Sequence, residues 1–146
     1  MRLAFVVLGE PCAWQRARTG RGHFFTDKKT RAYEYTVAEL GAVHAVGQLW
    51  PRAFTGPCVL VIDAVFQRPS NRNRKKDPDG RMVRESGRKD CDNVAKAIMD
   101  GLQKGGVFKN DAQVADLRVR LWWTARDEAP CVEVEVRTLE QAERAA

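Results

Sequence analysis

The residues best suited to chemistry lie in one short acidic segment followed by a lysine. Asp90 and Asp92 flank Cys91, and Lys96 follows Asp92 by four residues, which places both on one face if the segment is helical. Carboxylate oxygens are ligands that Mg²⁺ prefers, with water and phosphate oxygens completing its shell. A metal ion and a nearby ammonium could together activate water and neutralise charge at a phosphodiester. Asp111 lies in a turn beyond this segment and could return to the site as a third ligand.

Each of these residues also has an ordinary structural explanation. Asp92 could cap a helix, Lys96 could form half of an ion pair with Asp100, and Asp111 could simply belong to a turn. Two aspartates separated by one residue are common on protein surfaces. The combination of the pair, the lysine and two nearby basic segments favours the catalytic interpretation.

Basic charge is concentrated in two segments of the 146-residue chain, whose formal net charge is +6. Residues 1–31 contain seven Lys and Arg against two Asp and Glu, and residues 68–89 contain nine against three. Such clustering is typical of a protein that binds a phosphate backbone, although solvated loops explain it equally well. The candidate DNA contacts are Arg16, Arg18, Arg21, Lys28, Lys29, Arg31, Arg72, Arg74, Lys75, Lys76, Arg88 and Lys89.

Composition argues against several other classes of protein. No apolar stretch approaches the roughly 20 residues of a membrane span, and the apolar run over residues 3–8 is too short for a signal sequence. The four scattered cysteines and two isolated histidines form no zinc motif. We therefore expect a soluble, cytoplasmic protein with reduced thiols and no membrane partner.

Two helices are predicted from the spacing of apolar residues. The first is capped by Thr26 or Asp27 and ends near Gly47. The second covers residues 92–104, with an apolar residue at every fourth position of one face. Its polar face carries Asp92 and the lysine one turn later.

Four strands are predicted, over residues 1–8, 59–66, 117–123 and 132–136. The last two alternate apolar with charged residues, and we expect them to pair as a hairpin, so that an arginine face meets a glutamate face. The order of elements predicts a single α+β domain, in which a mixed sheet of about four strands packs against two main helices. We assign residues 1–138 to this domain and residues 139–146 to a C-terminal tail, expected to be a frayed helix end.

Two segments lack apolar periodicity. Residues 14–26 mix arginines, glycines and aromatics, which indicates an extended arm or a loose hairpin. Residues 67–89 form a basic loop long enough to be either functional or disordered. Asp63, within an otherwise apolar strand, is expected to face solvent rather than a metal ion.

The acidic segment resembles a known family. Residues 90–102 (DCDNVAKAIMDGL) and 107–114 (VFKNDAQV) look like the signature of the RusA family of Holliday junction resolvases. The N-terminal part of the resemblance is carried by Pro11, Arg16, Arg18 and residues 25–31 (FTDKKTR). The similarity extends from Leu3 to about Val136 and implies a RusA-like fold.

The resemblance implies that Asp90, Asp92 and Asp111 are the metal-binding catalytic carboxylates and that Lys96 is the catalytic lysine. It also implies a homodimer that cuts opposing strands of a four-way DNA junction symmetrically with Mg²⁺ or Mn²⁺. Where the family often has a second acidic residue, this chain has Asn110, so Asp111 is the one acidic candidate in the turn.

Two other functions remain open from the sequence. The first is a catalytically weak module of the same fold that binds junctions or other DNA. The second is a metal-dependent phosphoesterase that acts on RNA or a nucleotide. The dimer interface is also open: Trp50, Phe54 or an exposed strand edge could form it, and core burial explains the two aromatics equally well.

Overall fold

A computed structural model of the chain describes residues 1–14, 18–20, 23–25 and 27–140. This part of the chain forms a single α+β domain, in which two helices pack on one face of a mixed sheet. The sheet has five strands, one more than the number expected from the sequence. In chain order the strands are β1 (Arg2–Leu8), β2 (Arg18–Gly20), β3 (His23–Phe25), β4 (Cys58–Phe66), β5 (Met82–Val83), β6 (Val114–Trp123) and β7 (Cys131–Thr138). The helices are α1 (Lys28–Gly47) and α2 (Cys91–Lys104), and short 3₁₀ turns cover Ser70–Arg72 and Asp111–Gln113.

The strand order of the sheet is β1-β7-β4-β6-β5, and β2 pairs with β3 in a separate small hairpin. The predicted hairpin of β6 with β7 is wrong, because β4 lies between them, parallel to β6 and antiparallel to β7. The connection crosses the end of β4, where Thr124 N donates to Phe66 O at 2.8 Å. Alternation of apolar and charged residues identifies the buried face of a strand but not its neighbour. The apolar β4, buried along most of its length, takes the central position.

The charges on the outer face of the sheet follow from this order. Arg120 of β6 pairs with Asp63 of β4, with Nε 2.7 Å from Oδ1, instead of with a glutamate of β7. Trp122 Nε1 donates to the same carboxylate at 2.9 Å. Asp63 therefore lies on the face away from the helices, as a partner of an arginine.

The core lies between the helices and the opposite face of the sheet. Trp50 is 4% exposed and its Nε1 donates to Val107 O at 2.7 Å, so it belongs to the core rather than to an interface. Phe54 packs against the same core. The thiols of Cys12, Cys58 and Cys131 are buried, Cys91 is exposed, and all four cysteines are free.

Close contact with α1 fixes the position of α2. Asp27 caps α1, because its carboxylate accepts from Lys29 N and Thr30 N, and the helix ends at Gly47 as predicted. A Cβ at Gly101 of α2 would lie 2.6 Å from the Cβ of Val37 in α1. Only a glycine allows the two helices to approach this closely.

The basic loop over residues 67–89 is folded onto the sheet. Arg68 is 5% exposed, and its guanidinium donates to Thr124 O at 2.9 Å, Pro78 O at 2.7 Å and Gly80 O at 2.6 Å. One buried side chain thus satisfies three carbonyls of this region. Residues 141–146, most of the predicted tail, lie outside the described residues.

Among the described helices, none is both long enough and apolar enough to cross a membrane.

We expect Gly101→Ala to destabilise the domain by about 1–3 kcal/mol, because the added methyl overpacks the contact between α1 and α2. The matched control is Gly47→Ala at the end of α1, where a Cβ would meet nothing within 4 Å. That substitution should be neutral or stabilise by up to about 1 kcal/mol, since alanine favours helix. Urea unfolding measures both, and equal midpoints for the two variants would contradict the packing argument.

Candidate active site

The start of α2 places the two aspartates of the acidic segment. Asp90 is the N-cap, and its carboxylate accepts from Asn93 N at 3.4 Å while its carbonyl accepts from Val94 N at 3.0 Å. The helix therefore begins at Cys91, one residue earlier than expected, and Asp92 lies in the first turn. Both acidic side chains are favoured there by free backbone N–H groups and by the helix dipole.

Asp90 and Asp92 form a pair at the start of α2. A hydrogen bond from the Asp92 carboxyl lowers the pKa of Asp90, and the N–H of Asn93 adds to this effect. Two carboxylates this close repel each other unless a proton or a cation lies between them. The two acidic side chains are therefore neighbours at the start of α2.

Lys96 connects α2 to Asp111. Its Nζ lies 3.1 Å from Asp100 Oδ1 and 3.7 Å from Asp111 Oδ2. The hydrogen bond to Asp100 raises the pKa of Lys96, and the charge of Asp111 contributes in the same direction. The ammonium thus remains protonated at neutral pH and holds the turn of Asp111 against the polar face of the helix.

The turn around Asp111 is built by amide side chains. Asn110 Oδ1 accepts from Ala112 N at 2.8 Å. Gln113 Oε1 accepts from Asn110 N at 2.8 Å, and the Asn110 side chain with the backbone of Gln113 completes a capping box. Asp111 N donates to Gln103 Oε1 of α2 at 3.1 Å. Asn110, where the family often has an acidic residue, thus has a structural function as a cap.

The candidate residues fall into two groups along α2. Asp90 and Asp92 lie at its start, and Lys96 with Asp111 lies one turn further, a rise of about 5.4 Å. Among the described residues, no three His, Cys, Asp or Glu side chains are gathered closely enough to hold one metal ion. The chemistry of the donors nevertheless fits Mg²⁺, because all the candidate ligands are carboxylates and this ion takes few of its ligands from protein.

The candidate DNA contacts divide into paired and unpaired cations. Arg72 pairs with Glu85 and Arg74 with Asp77. Lys89 lies beside the site, where its Nζ donates to Pro11 O at 2.7 Å. Among these candidates, the exposed cations that make no ion pair with another described residue are Lys28, Lys29, Arg31, Lys75, Lys76 and Arg88. Arg16 and Arg21, and the side chain of Arg18, lie outside the described residues.

Sequence reasoning missed the residues that support the aspartates. Gln103 and Gln113 hold the turn of Asp111, and Arg84 donates to Lys89 O, directly before Asp90, at 2.6 Å. The amides gave no signal, because glutamine is common on helix surfaces. Arg84 lies in the basic segment over residues 68–89, whose charge the sequence pattern attributed to DNA binding or to solvated loops.

Comparison with known proteins bears on this arrangement. A family model described as endodeoxyribonuclease RusA matches residues 9–137, which include all four candidate catalytic residues. The chain belongs to the RusA family. No curated protein matches it. Membership of RusA supports endodeoxyribonuclease activity and confirms the resemblance that the acidic segment suggested.

Asn110→Ala should destabilise the protein by about 1 kcal/mol, because it removes the cap of the Asp111 turn. Asn110→Asp should retain the stability of the native protein, since aspartate and asparagine cap equally well. Thermal or urea unfolding of the two variants checks this. Equal stability of Asn110→Ala and the native protein would show that the cap contributes nothing.

Proposed function

We propose that this RusA-family chain is a Mg²⁺-dependent endodeoxyribonuclease that resolves four-way DNA junctions by paired, symmetric cuts. The observation that carries the proposal is the family match over residues 9–137, together with the carboxylates and the lysine gathered along the polar face of α2. Hydrolysis of a phosphodiester needs a bound, activated water and positive charge near phosphorus. Carboxylates that bind a metal ion would supply the activated water, and the metal ion with Lys96 would supply the positive charge.

Asp90, Asp92 and Asp111 would hold the metal ion. Mg²⁺, or Mn²⁺ in its place, would lower the pKa of a bound water and neutralise charge on the phosphate. Two of these carboxylates lie at the start of α2, where the N–H of Asn93 donates to Asp90. Asp100 pairs with Lys96 and is proposed to support the site without binding the metal.

Lys96 is proposed to act on the DNA phosphate. Its side chain is about half exposed, and its ammonium lies between Asp100 and Asp111. From there it can donate to a phosphate oxygen and stabilise the charge that develops during cleavage. Its raised pKa keeps it positive at neutral pH.

Symmetric cutting requires two copies of the site, and we propose a homodimer with two-fold symmetry. The two edges of the sheet differ in a way that supports this. At the β1 edge, the Gln48 side chain accepts from Ala4 N at 2.9 Å and donates to Ala4 O at 2.7 Å. At the opposite edge, β5 pairs only with the end of β6, and Leu117 of β6 is 45% exposed. We propose that the stretch of β6 beyond β5, with its exposed leucine, pairs with a second copy.

The main prediction concerns cleavage of a synthetic four-way junction. The native protein should cut it in Mg²⁺, and Asp92→Asn should reduce cutting below detection. Junction binding by the variant in EDTA should stay within about twofold of the native value, because the substitution affects the chemical step and not the phosphate contacts. Product lengths on a denaturing gel and a gel-shift titration measure the two quantities.

The matched control is Asp127→Asn, an exposed aspartate in the connection between β6 and β7. It should cut like the native protein. If native protein binds the junction but neither Mg²⁺ nor Mn²⁺ supports cutting, the enzyme proposal fails.

A second candidate function is a DNA-binding module with weak or no catalysis. It is favoured by the observation that, in the described part of the chain, no three ligands are gathered for a metal ion. The same assay separates it from the nuclease, since binding would then persist without cutting. Parallel tests on linear duplex, single-stranded DNA and RNA separate both from a phosphoesterase with another substrate.

Phosphate binding by the basic loop should appear in the salt dependence of junction affinity. The double variant Lys75→Ala, Lys76→Ala removes two exposed cations, and the slope of log K against log salt should fall by about 0.9 for each phosphate that these lysines neutralise. Arg2→Ala is the control, because Arg2 pairs with Glu135 on β7. An unchanged slope in the double variant would show that these two lysines do not touch the DNA backbone.

A further inference from the structure

Arg84 links the edge of the sheet to the start of α2. Its backbone N donates to Leu121 O of β6 at 3.0 Å, which fixes the residue directly after β5. Its Nη1 donates to Lys89 O at 2.6 Å, and the next residue is the N-cap Asp90. The segment between Arg84 and Lys89 is therefore closed into a loop by one guanidinium.

The guanidinium of Arg84 stacks against two aromatic rings, those of Phe66 and Trp123. Its central carbon is 4.2 Å from the centroid of the Phe66 ring and 5.5 Å from that of Trp123. Phe66 is 3% exposed, and Trp123 Nε1 donates to Glu85 Oε2 at 3.1 Å. A planar guanidinium stacks on such rings in one orientation, whereas a lysine ammonium does not.

Gly87 leaves space for this arrangement. A Cβ at position 87 would lie 1.7 Å from Nη2 of Arg84, so any other residue would displace the guanidinium or the loop. The φ angle of Gly87, +157°, also disfavours other residues. The absence of a side chain at Gly87 therefore allows the guanidinium of Arg84 to reach the carbonyl of Lys89.

Arg84 also carries a local energetic cost beside these contacts. Its Nε is buried without a hydrogen-bond partner, which costs free energy. Burial lowers the pKa of Arg84, while the surrounding groups Cys91, Glu10, Asp90 and Glu85 act in the opposite direction. Local arrangements that cost stability occur where a site requires them.

We propose that Arg84 is a positioning residue for the catalytic carboxylates. By stacking on the Phe66 ring and holding the Lys89 carbonyl, it determines where α2 begins and how Asp90 and Asp92 are directed. This inference rests on the proposed metal-dependent cleavage, in which Arg84 would act through Asp90 and Asp92.

The first test compares Arg84→Lys and Gly87→Ala with the controls Arg2→Lys and Gly80→Ala. A Cβ at Gly80 meets nothing within 4 Å, and Arg2 lies in the opposite edge strand. Both test variants should cut the junction about 10–100-fold more slowly and need more Mg²⁺ for half-maximal rate, as expected when the support of a metal ligand is removed. Junction affinity in EDTA should stay within about twofold, since no phosphate-binding group is changed.

The second test does not depend on cleavage. In both test variants, the amides of Asn93 and Val94, which the Asp90 cap holds, should exchange with solvent about fivefold faster, the effect of weakening a cap. The amide of Gly105, bonded to Gly101 O at the far end of α2, should not change. A general loss of stability would instead accelerate exchange at both ends.

The outcomes are distinguishable. Native rates, Mg²⁺ dependence and amide exchange in both test variants would overturn the positioning function, and so would equal acceleration at both ends of α2. If the native protein does not cut at all, the proposed function fails and amide exchange still decides what Arg84 does. If Arg84→Lys fails to fold, Gly87→Ala decides, because position 87 lies in an exposed loop.

Discussion

The candidate site depends on the close packing of α2 against α1. A Cβ at Gly105 would lie 2.5 Å from Ala38 O, and Gly101 meets α1 equally closely, so α2 has one position on the sheet. Its apolar face is buried, and this leaves Asp92 and Lys96 on the solvent side. Because an α-helix is stiff, fixing its last turn also fixes the direction of its first. Packing at the glycines thus determines which carboxylates face solvent together.

The electrostatics of this face follow from the same geometry. Four carboxylates lie along it, at positions 90, 92, 100 and 111, and Lys96 is the only cation paired with any of them among the described residues. The free N–H groups at the start of α2 stabilise the first two, and the ammonium stabilises the others. Negative charge remains in excess at the helix start.

Local patterns predicted the elements well and their neighbours poorly. Both helices and the four long strands were predicted from spacing, and Asp27 was among the proposed caps. The predicted pairing of β6 with β7 was wrong. Alternation shows which face of a strand is buried, and it does not show which strand lies beside it. The two groups of site residues were brought together by the family resemblance and not by spacing, since Asp111 approaches Lys96 only through the turn after Gly105. Arg84 could not be found at all, because a stacked arginine and a solvated one look alike in a sequence.

The basic loop shows why a charge count overstates a DNA-binding surface. Arg68, Arg84 and Arg126 lie in or against it, and each directs its guanidinium to backbone carbonyls of the loop or its neighbours. A planar group with five donors can bind several carbonyls at once, which an ammonium cannot do from one fixed direction. The exposed cations left without ion pairs in this loop, Lys75, Lys76 and Arg88, are mostly lysines. The arginines therefore fold the segment that leads to the aspartates, and the remaining cations are available for phosphate.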